Sequence, residues 1–207
     1  MTEYFEIKRK SVHFLIGILI SLLIYFDFFY LPFWFVIFYL MAAISVILSG
    51  KYRKSWLSRF IASIERKEEL EKIPILGALT FLFGSILSFV FFGKDVAICA
   101  IITLFFGDSV LAIYGTYFGK IKSPFLNREK HFDATAVGII LNTIIIFLLF
   151  PFSFWKILLA SIISMFYELF VPFKNFKNIY LRFLLDDNII IPLLFGLVLS
   201  LLIRPVI

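Results

Sequence analysis

Residues 95–114 read DVAICAIITLFFGDSVLAIY, a run of twenty residues whose charged members are the first residue and Asp108. A helix of this length rises about 30 Å, which matches the hydrocarbon core of a lipid bilayer. The run therefore predicts a membrane-spanning helix. Besides Asp95 at its first position, the run carries one further acid, Asp108, about two turns from the other end of that helix.

The rest of the chain has the same apolar character. Of its 207 residues 62% are hydrophobic and 16% are charged, whereas soluble domains average about 45–50% and about 25%. One core of this size cannot bury so much apolar surface, which excludes a water-soluble single domain. One cysteine, seven prolines and ten glycines also exclude a disulfide scaffold, a collagen and a disordered chain. We expect an all-α, polytopic integral membrane bundle, with residues 1–207 forming a single transmembrane domain.

Seven apolar segments are long enough to serve as spans. They lie at roughly 12–30, 31–49, 73–92, 95–114, 134–152, 154–172 and 188–204. With seven spans, seventeen Lys and Arg residues fall on one side of the membrane and three on the other. Basic residues in short loops stay cytoplasmic. The N-terminus is therefore expected inside and the C-terminus outside, in the cytoplasmic membrane of a prokaryote or otherwise in the endoplasmic reticulum.

Between the second and third spans, residues 55–71 carry apolar side chains at helical spacing among charged ones. This pattern is typical of an amphipathic helix on the inner leaflet, with its basic residues towards anionic headgroups. A linker helix packed on the bundle explains the same pattern, and the sequence leaves both interpretations open.

The polar residues within or beside the spans gather towards the cytoplasmic leaflet. They are His13, Asp108, Glu168, Asp187 and Asn188. Ionisable groups inside a bilayer are costly and usually mark function. A transporter needs polar groups at the midplane and on both sides, so a one-sided set indicates chemistry at the inner membrane surface. The net charge of +6 is explained by topology, and no nucleic-acid partner is expected.

The strongest constellation of chemical groups spans residues 106–120, FGDSVLAIYGTYFGK, and residues 127–135, NREKHFDAT. Gly115 and Gly119 permit close approach of backbone to phosphate, although small residues at this spacing also suit close helix packing. Carboxylate oxygens suit a hard cation such as Mg²⁺, and the candidates here are Asp108 and Asp133. Positive charge for phosphates comes from Lys120, Arg128 and Lys130. The pattern predicts a cytoplasmic nucleotide loop at about 115–134.

These residues resemble the CTP-dependent lipid kinases, the family of dolichol kinase, phytol kinase and the CTP-using diacylglycerol kinase. Asp108, Gly115 and Gly119 match the nucleotide motif in register, and Lys130 and Asp133 are similar to the lysine and acid of its second element. The spacer between the two elements is one residue longer here. The sequence departs from the family's residues at Leu111, Glu129, His131 and Ala134.

Two further segments are similar to the family's pattern, and together they extend the resemblance over nearly the whole chain. Residues 9–17, RKSVHFLIG, resemble its N-terminal Arg-Lys-x-x-His-x-x-x-Gly signature. Glu168 and residues 187–192, DNIIIP, resemble its late Glu and Asp-Asn-x-x-x-Pro.

The resemblance implies transfer of the γ-phosphoryl group of CTP, with Mg²⁺, to the hydroxyl of a long-chain isoprenoid alcohol held among membrane lipids. The expected metal ligands are Asp108, Asp187 and Asn188, with Asp133 as a further candidate. The expected nucleotide-binding residues are Gly115, Gly119, Lys120, Arg128, Lys130, Arg9 and Lys10. Asp108 counts as catalytic, and the alcohol's proton goes to His13 or Glu168. The residues do not choose between those two bases, nor among isoprenoid, phytol-like and diacylglycerol substrates, and they leave the oligomeric state open.

Two alternatives of other kinds remain. A CTP:lipid-phosphate cytidylyltransferase shares the nucleotide and metal requirements but needs no base against an alcohol. The long basic signature with paired acids that is typical of phosphatidate cytidylyltransferases is missing here. A non-enzymatic lipid transporter conflicts with the one-sided distribution of polar groups.

Overall fold

The computed structural model describes residues 3–28, 30–49, 61, 75–125, 127, 130–171 and 179–203. Their helices are, in chain order, α1 Glu3–Tyr25, α2 Leu31–Ser49, α3 Leu76–Phe92, α4 Lys94–Ile102, α5 Asp108–Tyr117, α6 Phe132–Leu149, α7 Phe154–Phe170, α8 Ile179–Leu184 and α9 Asp187–Ile203. A π-helical turn at Thr103–Gly107 joins α4 and α5 into one continuous run. These parts contain no strand, which confirms the all-α prediction for them.

Each predicted span coincides with a helix or with the continuous α4–α5 run, but α1 differs at both ends. It begins at Glu3 and ends at Tyr25, whereas hydropathy predicts residues 12–30. Charged residues such as Lys and Glu are good helix formers, so the helix extends beyond its apolar part. Arg9 and Lys10 consequently lie inside α1, where their positions relative to the other helices are defined.

Two helical runs, Lys94–Tyr117 and Phe132–Leu149, are long and apolar enough to cross a membrane. Three shorter apolar helices accompany them, at Pro32–Ile47, Leu76–Phe92 and Asp187–Ile203. These findings support a membrane protein, while the number of spans and their orientation stay predictions. The predicted amphipathic helix at 55–71 lies outside the described residues, apart from Ile61.

Helix α4 lies at the centre of the bundle. Its residues Ile98 to Ile101 are at most 3% exposed, and they belong to one apolar core that also contains Phe195 and Leu199 of α9. Large apolar side chains also cover the outside, as at Leu15, Leu19 and Leu22 on one face of α1. An apolar core wrapped in an apolar exterior is typical of a helix bundle in lipid.

A buried set of hydrogen bonds fixes how α6 and α7 sit against the centre. The Asn142 Nδ2 atom donates to Thr103 Oγ1 at 3.0 Å and to Ser161 Oγ at 3.0 Å. All three residues are fully buried, and an unpaired amide there would be costly. These bonds therefore define the rotation of α6 and α7 about their axes.

The bundle has two different ends. At one end, Lys94 at the start of α4 forms an ion pair with Asp27 in the α1–α2 turn and lies over the Tyr25 ring. Gly93, with a φ of 76°, makes the turn from α3 to α4 there. The opposite end contains Lys10 of α1, the α5–α6 loop, the C-terminus of α7 and the N-terminus of α9, and it holds most of the residues of predicted function.

Candidate active site

Two ion pairs lie at this second end of the bundle. Lys10 of α1 donates to a carboxylate oxygen of Asp108, the first residue of α5. Lys130, in the α5–α6 loop, donates to Glu168 Oε1 of α7 at 2.9 Å. The side chains of Asp108 and Glu168 are 8% and 1% exposed. Charges at such depth require partners, and the fold supplies each carboxylate with one lysine from a different element.

Lys130 connects the two pairs electrostatically. Burial opposes its charge, but the carboxylates of Glu168, Asp108 and Asp187 outweigh burial and raise its pKa above the usual value for lysine. These three carboxylates favour the charged ammonium, and the Lys130 side chain is 35% exposed. We call Lys10, Asp108, Lys130, Glu168 and Asp187 the charged cluster.

Three buried oxygen atoms beside these pairs have no hydrogen-bond partner within the described parts of the chain. They are Asp108 Oδ1, Ser109 Oγ and Glu168 Oε2. Buried polar atoms are nearly always paired, so unpaired ones indicate a place for a ligand. Each of the two carboxylates has one oxygen bonded to a lysine and one unpaired oxygen, which we call its reserve oxygen. Free carboxylate oxygens are the ligands that a hard divalent cation prefers, and these atoms fit Mg²⁺ in chemistry.

No group of three or more His, Cys, Asp or Glu side chains in the described ranges is arranged to hold a metal by itself. Magnesium, however, is usually bound by one or two carboxylates together with substrate phosphates. The unpaired Asp108 Oδ1 atom is a carboxylate oxygen of this kind, and phosphates can supply the remaining ligands.

Asp133 and Lys120, both predicted in the site, are joined by a hydrogen bond from the Lys120 backbone to the Asp133 carboxylate. Asp133 Oδ2 accepts the backbone N–H of Lys120 at 2.8 Å and of Ile121 at 3.4 Å, and Oδ1 accepts that of Ala134 at 3.0 Å. In the described structure no hydrogen bond or ion pair joins either residue to the charged cluster. The Asp133 carboxylate therefore fastens the α5–α6 loop to the start of α6.

Gly115 and Gly119 provide space for His131. A Cβ atom on Gly119 would lie 2.7 Å from His131 Cγ and 2.5 Å from the Gly115 carbonyl oxygen. A Cβ on Gly115 would lie 3.3 Å from His131 Nδ1. In this structure the glycines let the imidazole pack on α5, and their contact with phosphate stays a prediction. His131 was not predicted to pack on these glycines. Their spacing of four residues on one helix face was the sequence feature that could have indicated a bulky side chain there.

Asp187 and Asn188 begin α9 as predicted neighbours of the site. The Asn188 Nδ2 atom donates to Thr80 Oγ1 of α3 at 3.1 Å, and its backbone N–H donates to Asp187 Oδ1 at 2.9 Å and to Asp186 Oδ1 at 3.0 Å. Thr80 is fully buried and anchors this turn. It is a second residue that sequence reasoning missed, because a lone threonine in an apolar helix carries no distinctive signal.

His13 lies one helical turn from Lys10 on α1. Its ring meets Phe81 edge-on with centroids 5.6 Å apart, and it experiences the charges of Lys10, Arg9, Asp108 and Asp187. The charge of Arg9 also acts on Asp108. Of the two predicted bases, Glu168 thus belongs to the charged cluster and His13 lies beside it. Arg128 lies outside the described residues.

Asn127 joins the loop to α7. Its Nδ2 atom donates to the Glu168 carbonyl at 2.8 Å, its backbone N–H donates to the Leu169 carbonyl at 3.0 Å, and its own carbonyl accepts from Lys130 N–H at 3.2 Å. The terminal carbonyls of a helix need such donors. Asn127 therefore caps α7 and places Lys130 beside Glu168, a role that the sequence pattern did not suggest.

We expect Asn127→Asp to loosen this loop. An aspartate cannot donate, and its charge would face the negative end of the α7 dipole; losing such a buried bond costs about 1–3 kcal/mol. Hydrogen exchange of the hydrogen-bonded amides of Ser123, Lys130 and Phe132 should accelerate by about 10-fold or more. Lys122→Gln, an exposed change in the same loop, is the matched control. Unchanged protection in Asn127→Asp would contradict the capping role.

Comparisons with protein-family models, with curated proteins and with solved structures find no match. The fold and the site therefore define the class by themselves. It is an all-helical protein with an apolar exterior and a buried set of paired lysines and carboxylates at one end of the bundle.

Proposed function

We propose that the protein is a membrane lipid kinase that transfers the γ-phosphoryl group of CTP to the hydroxyl of a long-chain isoprenoid alcohol at the cytoplasmic leaflet. The observation that supports a phosphotransferase is the charged cluster, in which two lysines accompany two carboxylates with reserve oxygens. The choice of CTP and of an isoprenoid alcohol comes from the resemblance of the motifs around Asp108, residues 9–17 and residues 187–192.

Phosphoryl transfer depends chiefly on positioning and on neutralising charge. Lys10 and Lys130 bind and orient the phosphates, because each ammonium is a compact charge with three donors. Asp108 and Asp187 would hold Mg²⁺, with Asn188 as a further ligand. When bound, Mg²⁺ supplies charge neutralisation on the phosphate oxygens. Asp133 has both oxygens on backbone amides, so we assign it to the loop.

As the alcohol oxygen attacks the γ-phosphorus of CTP, the bond from that phosphorus to the bridging oxygen breaks, CDP leaves with the electron pair, and the alcohol must lose its proton. Two groups have a suitable lone pair, the His13 imidazole beside the charged cluster and Glu168 Oε2 within it. The alkyl chain stays in the membrane, against the apolar outer faces of helices such as α1. The hydroxyl of the lipid alcohol, at the membrane–water interface, then approaches the charged cluster laterally from the bilayer.

Label transfer tests the proposal. The purified protein is incubated with Mg²⁺ and CTP labelled at the γ or the α phosphorus, with polyprenol, phytol, diacylglycerol or polyprenyl phosphate as acceptor. We expect label from the γ position on polyprenol, and no transfer in EDTA. Transfer from the α position to the lipid phosphate would instead identify a cytidylyltransferase. Absence of transfer to every acceptor would reject both enzymes.

A transporter is the less favoured function for a physical reason. The pairing of charges is concentrated at one end, and the ion pair described at the other end, Lys94–Asp27, is exposed. Alternating access requires binding groups near the midplane that communicate with both sides.

A further inference from the structure

A narrow cleft lies between α1, α2 and α3, in the half of the bundle away from the charged cluster. It has a volume of about 190 Å³ and is lined by Ile20, Ile24, Trp34, Ser85, Ile86 and Phe89. The space lies between these side chains and is nowhere wide enough for a free water molecule. The Ser85 hydroxyl donates to the carbonyl of Phe81, one turn back on the same helix, at 2.9 Å. The cleft therefore offers mostly apolar surface to an incoming group.

Two helices place this cleft at the same distance from His13. On α1, Ile20 and Ile24 follow His13 by seven and eleven residues, which corresponds to about 10–16 Å along the helix axis. On α3, Ser85 follows Gly77 by eight residues, or about 12 Å. His13 and Gly77 lie opposite each other, since a Cβ on Gly77 would be 3.8 Å from His13 Nε2. A chain that starts at His13 must therefore extend about 10–16 Å to occupy the cleft.

Phe81 connects His13 with the cleft. Its ring meets the His13 ring edge-on, with centroids 5.6 Å apart, and its carbonyl accepts the Ser85 hydroxyl. Gly77, Phe81 and Ser85 are spaced by four residues, so they follow one another along one face of α3. This face therefore runs from His13, a candidate base, to the cleft.

We infer that the cleft holds the hydrocarbon chain of the lipid alcohol, with the hydroxyl beside His13 and the chain running along this face of α3. The inference deepens the proposed function and rests on it for the presence of a lipid alcohol. The part of a long chain that extends past the cleft stays in the bilayer, against the outer faces of the helices.

The fit of the chain, and not the apolar character of the cleft, gives the site its selectivity. Lipid tails are as apolar as the lining, so moving a chain from the bilayer into the cleft gains no hydrophobic free energy. The gain comes from dispersion contacts with side chains that otherwise border a void. An alcohol must be long enough to make these contacts. Prenol, with a single isoprene unit, is too short, whereas geranylgeraniol is long enough.

Helix α2 forms the outer wall of the cleft. It packs on α3, whereas α1 packs on α4 and α5, and large apolar side chains of α2 such as Val36 and Leu40 are exposed. Because the walls stand close together, a chain that enters from the bilayer must displace the side chain of Trp34. Trp34 therefore reports whether the cleft is occupied.

Fluorescence of Trp34 tests the inference without catalysis. The chain has three tryptophans, so Trp56→Phe/Trp155→Phe leaves Trp34 as the reporter in the full-length protein in detergent. The probe is oleyl alcohol dibrominated at its double bond, because bromine quenches at short range and lies midway along this chain. We expect quenching that geranylgeraniol reverses and prenol does not. Absence of quenching, or quenching that geranylgeraniol fails to reverse, would overturn the inference.

A side chain that fills the cleft should compete with the lipid. Ser85→Phe adds a ring to the lining and should weaken the binding of geranylgeraniol by about 10-fold, an effect of the size caused by overpacking. Val90→Phe adds a ring on the exposed side of the same helix and, as the matched control, should bind like the wild type. Ile24→Phe fills the cleft from α1 and serves where Ser85→Phe fails to fold. Equal affinity of the filled variants and Val90→Phe would refute the inference.

Kinetics with γ-labelled CTP separate the cleft from the kinase. In Ser85→Phe the KM for geranylgeraniol should rise about 10-fold with little change in kcat, because the charged cluster keeps its residues. Reversible quenching of Trp34 without phosphoryl transfer to any acceptor would support the cleft and reject the kinase. Transfer with the same KM in Ser85→Phe and Val90→Phe would support the kinase and reject the cleft.

Discussion

Asp108→Asn should lower phosphoryl transfer from CTP by about 1000-fold or more. The substitution keeps the shape of the side chain but removes the charge that pairs with Lys10 and the carboxylate oxygen proposed for Mg²⁺. Loss of one preorganised electrostatic contact in an active site costs about 100- to 1000-fold in rate, and the metal ligand is lost with it. Initial rates with γ-labelled CTP at saturating lipid measure the effect.

The same substitution leaves the buried Lys10 ammonium without its partner, which can cost about 3–5 kcal/mol of stability. Rates are therefore compared only for protein that elutes as folded material. Asp27→Asn, at the exposed ion pair of the opposite end, is the matched control and should keep wild-type activity. The double variant Lys10→Met/Asp108→Asn should regain stability but not activity. Transfer restored in the double variant would reduce Asp108 to a structural partner.

Gly84→Ala should destabilise the protein strongly, whereas Gly77→Ala on the same helix should be tolerated. A Cβ on Gly84 would lie 2.1 Å from the Asn188 carbonyl oxygen and 3.1 Å from Ile189 Cα, both backbone atoms of α9. The nearest atom to a Cβ on Gly77 is His13 Nε2 at 3.8 Å, an ordinary contact. Overpacking against backbone costs about 1–3 kcal/mol or more.

Thermal unfolding in detergent measures this difference. We expect the Tm of Gly84→Ala to fall by roughly 5–10 °C and that of Gly77→Ala to change by at most a few degrees. Since α3 must move away from Asn188, Gly84→Ala should also lose activity through the displaced Asp187. Equal Tm values for the two variants would contradict the close crossing of α3 and α9.

The positions of the helices were predictable because the chain contains apolar segments of about twenty residues. In an apolar medium such a segment must pair its backbone N–H and C=O groups internally, which a helix does. All seven predicted segments overlap helical runs in the described chain, although the first is displaced from α1 at both ends. The extension of α1 to Glu3 and the π-helical turn at Thr103–Gly107 were not predictable. Hydropathy responds to side-chain polarity, while helix ends and bulges depend on backbone hydrogen bonds and on packing.

The residues of the site divide in the same way. Asp108 and Glu168 could be selected from the sequence because a carboxylate inside an apolar membrane segment costs free energy and usually marks a functional site. Their partners could not be assigned, since several basic residues lie on the same predicted side and only the fold chooses among them. Asn127 binds backbone carbonyls of α7, and Thr80 accepts a hydrogen bond from Asn188. Ordinary polar residues of this kind have no recognisable sequence pattern.

The sequence by itself determined that this chain is helical and apolar and that a few charged residues stand out within it. These are properties of single residues and of their spacing along one helix. Only the tertiary structure decided that Lys10 meets Asp108, that Lys130 meets Glu168 and that Asp133 serves the loop. Such pairings join residues distant in the chain, and they depend on how closely helices approach, which is decided by packing across the bundle.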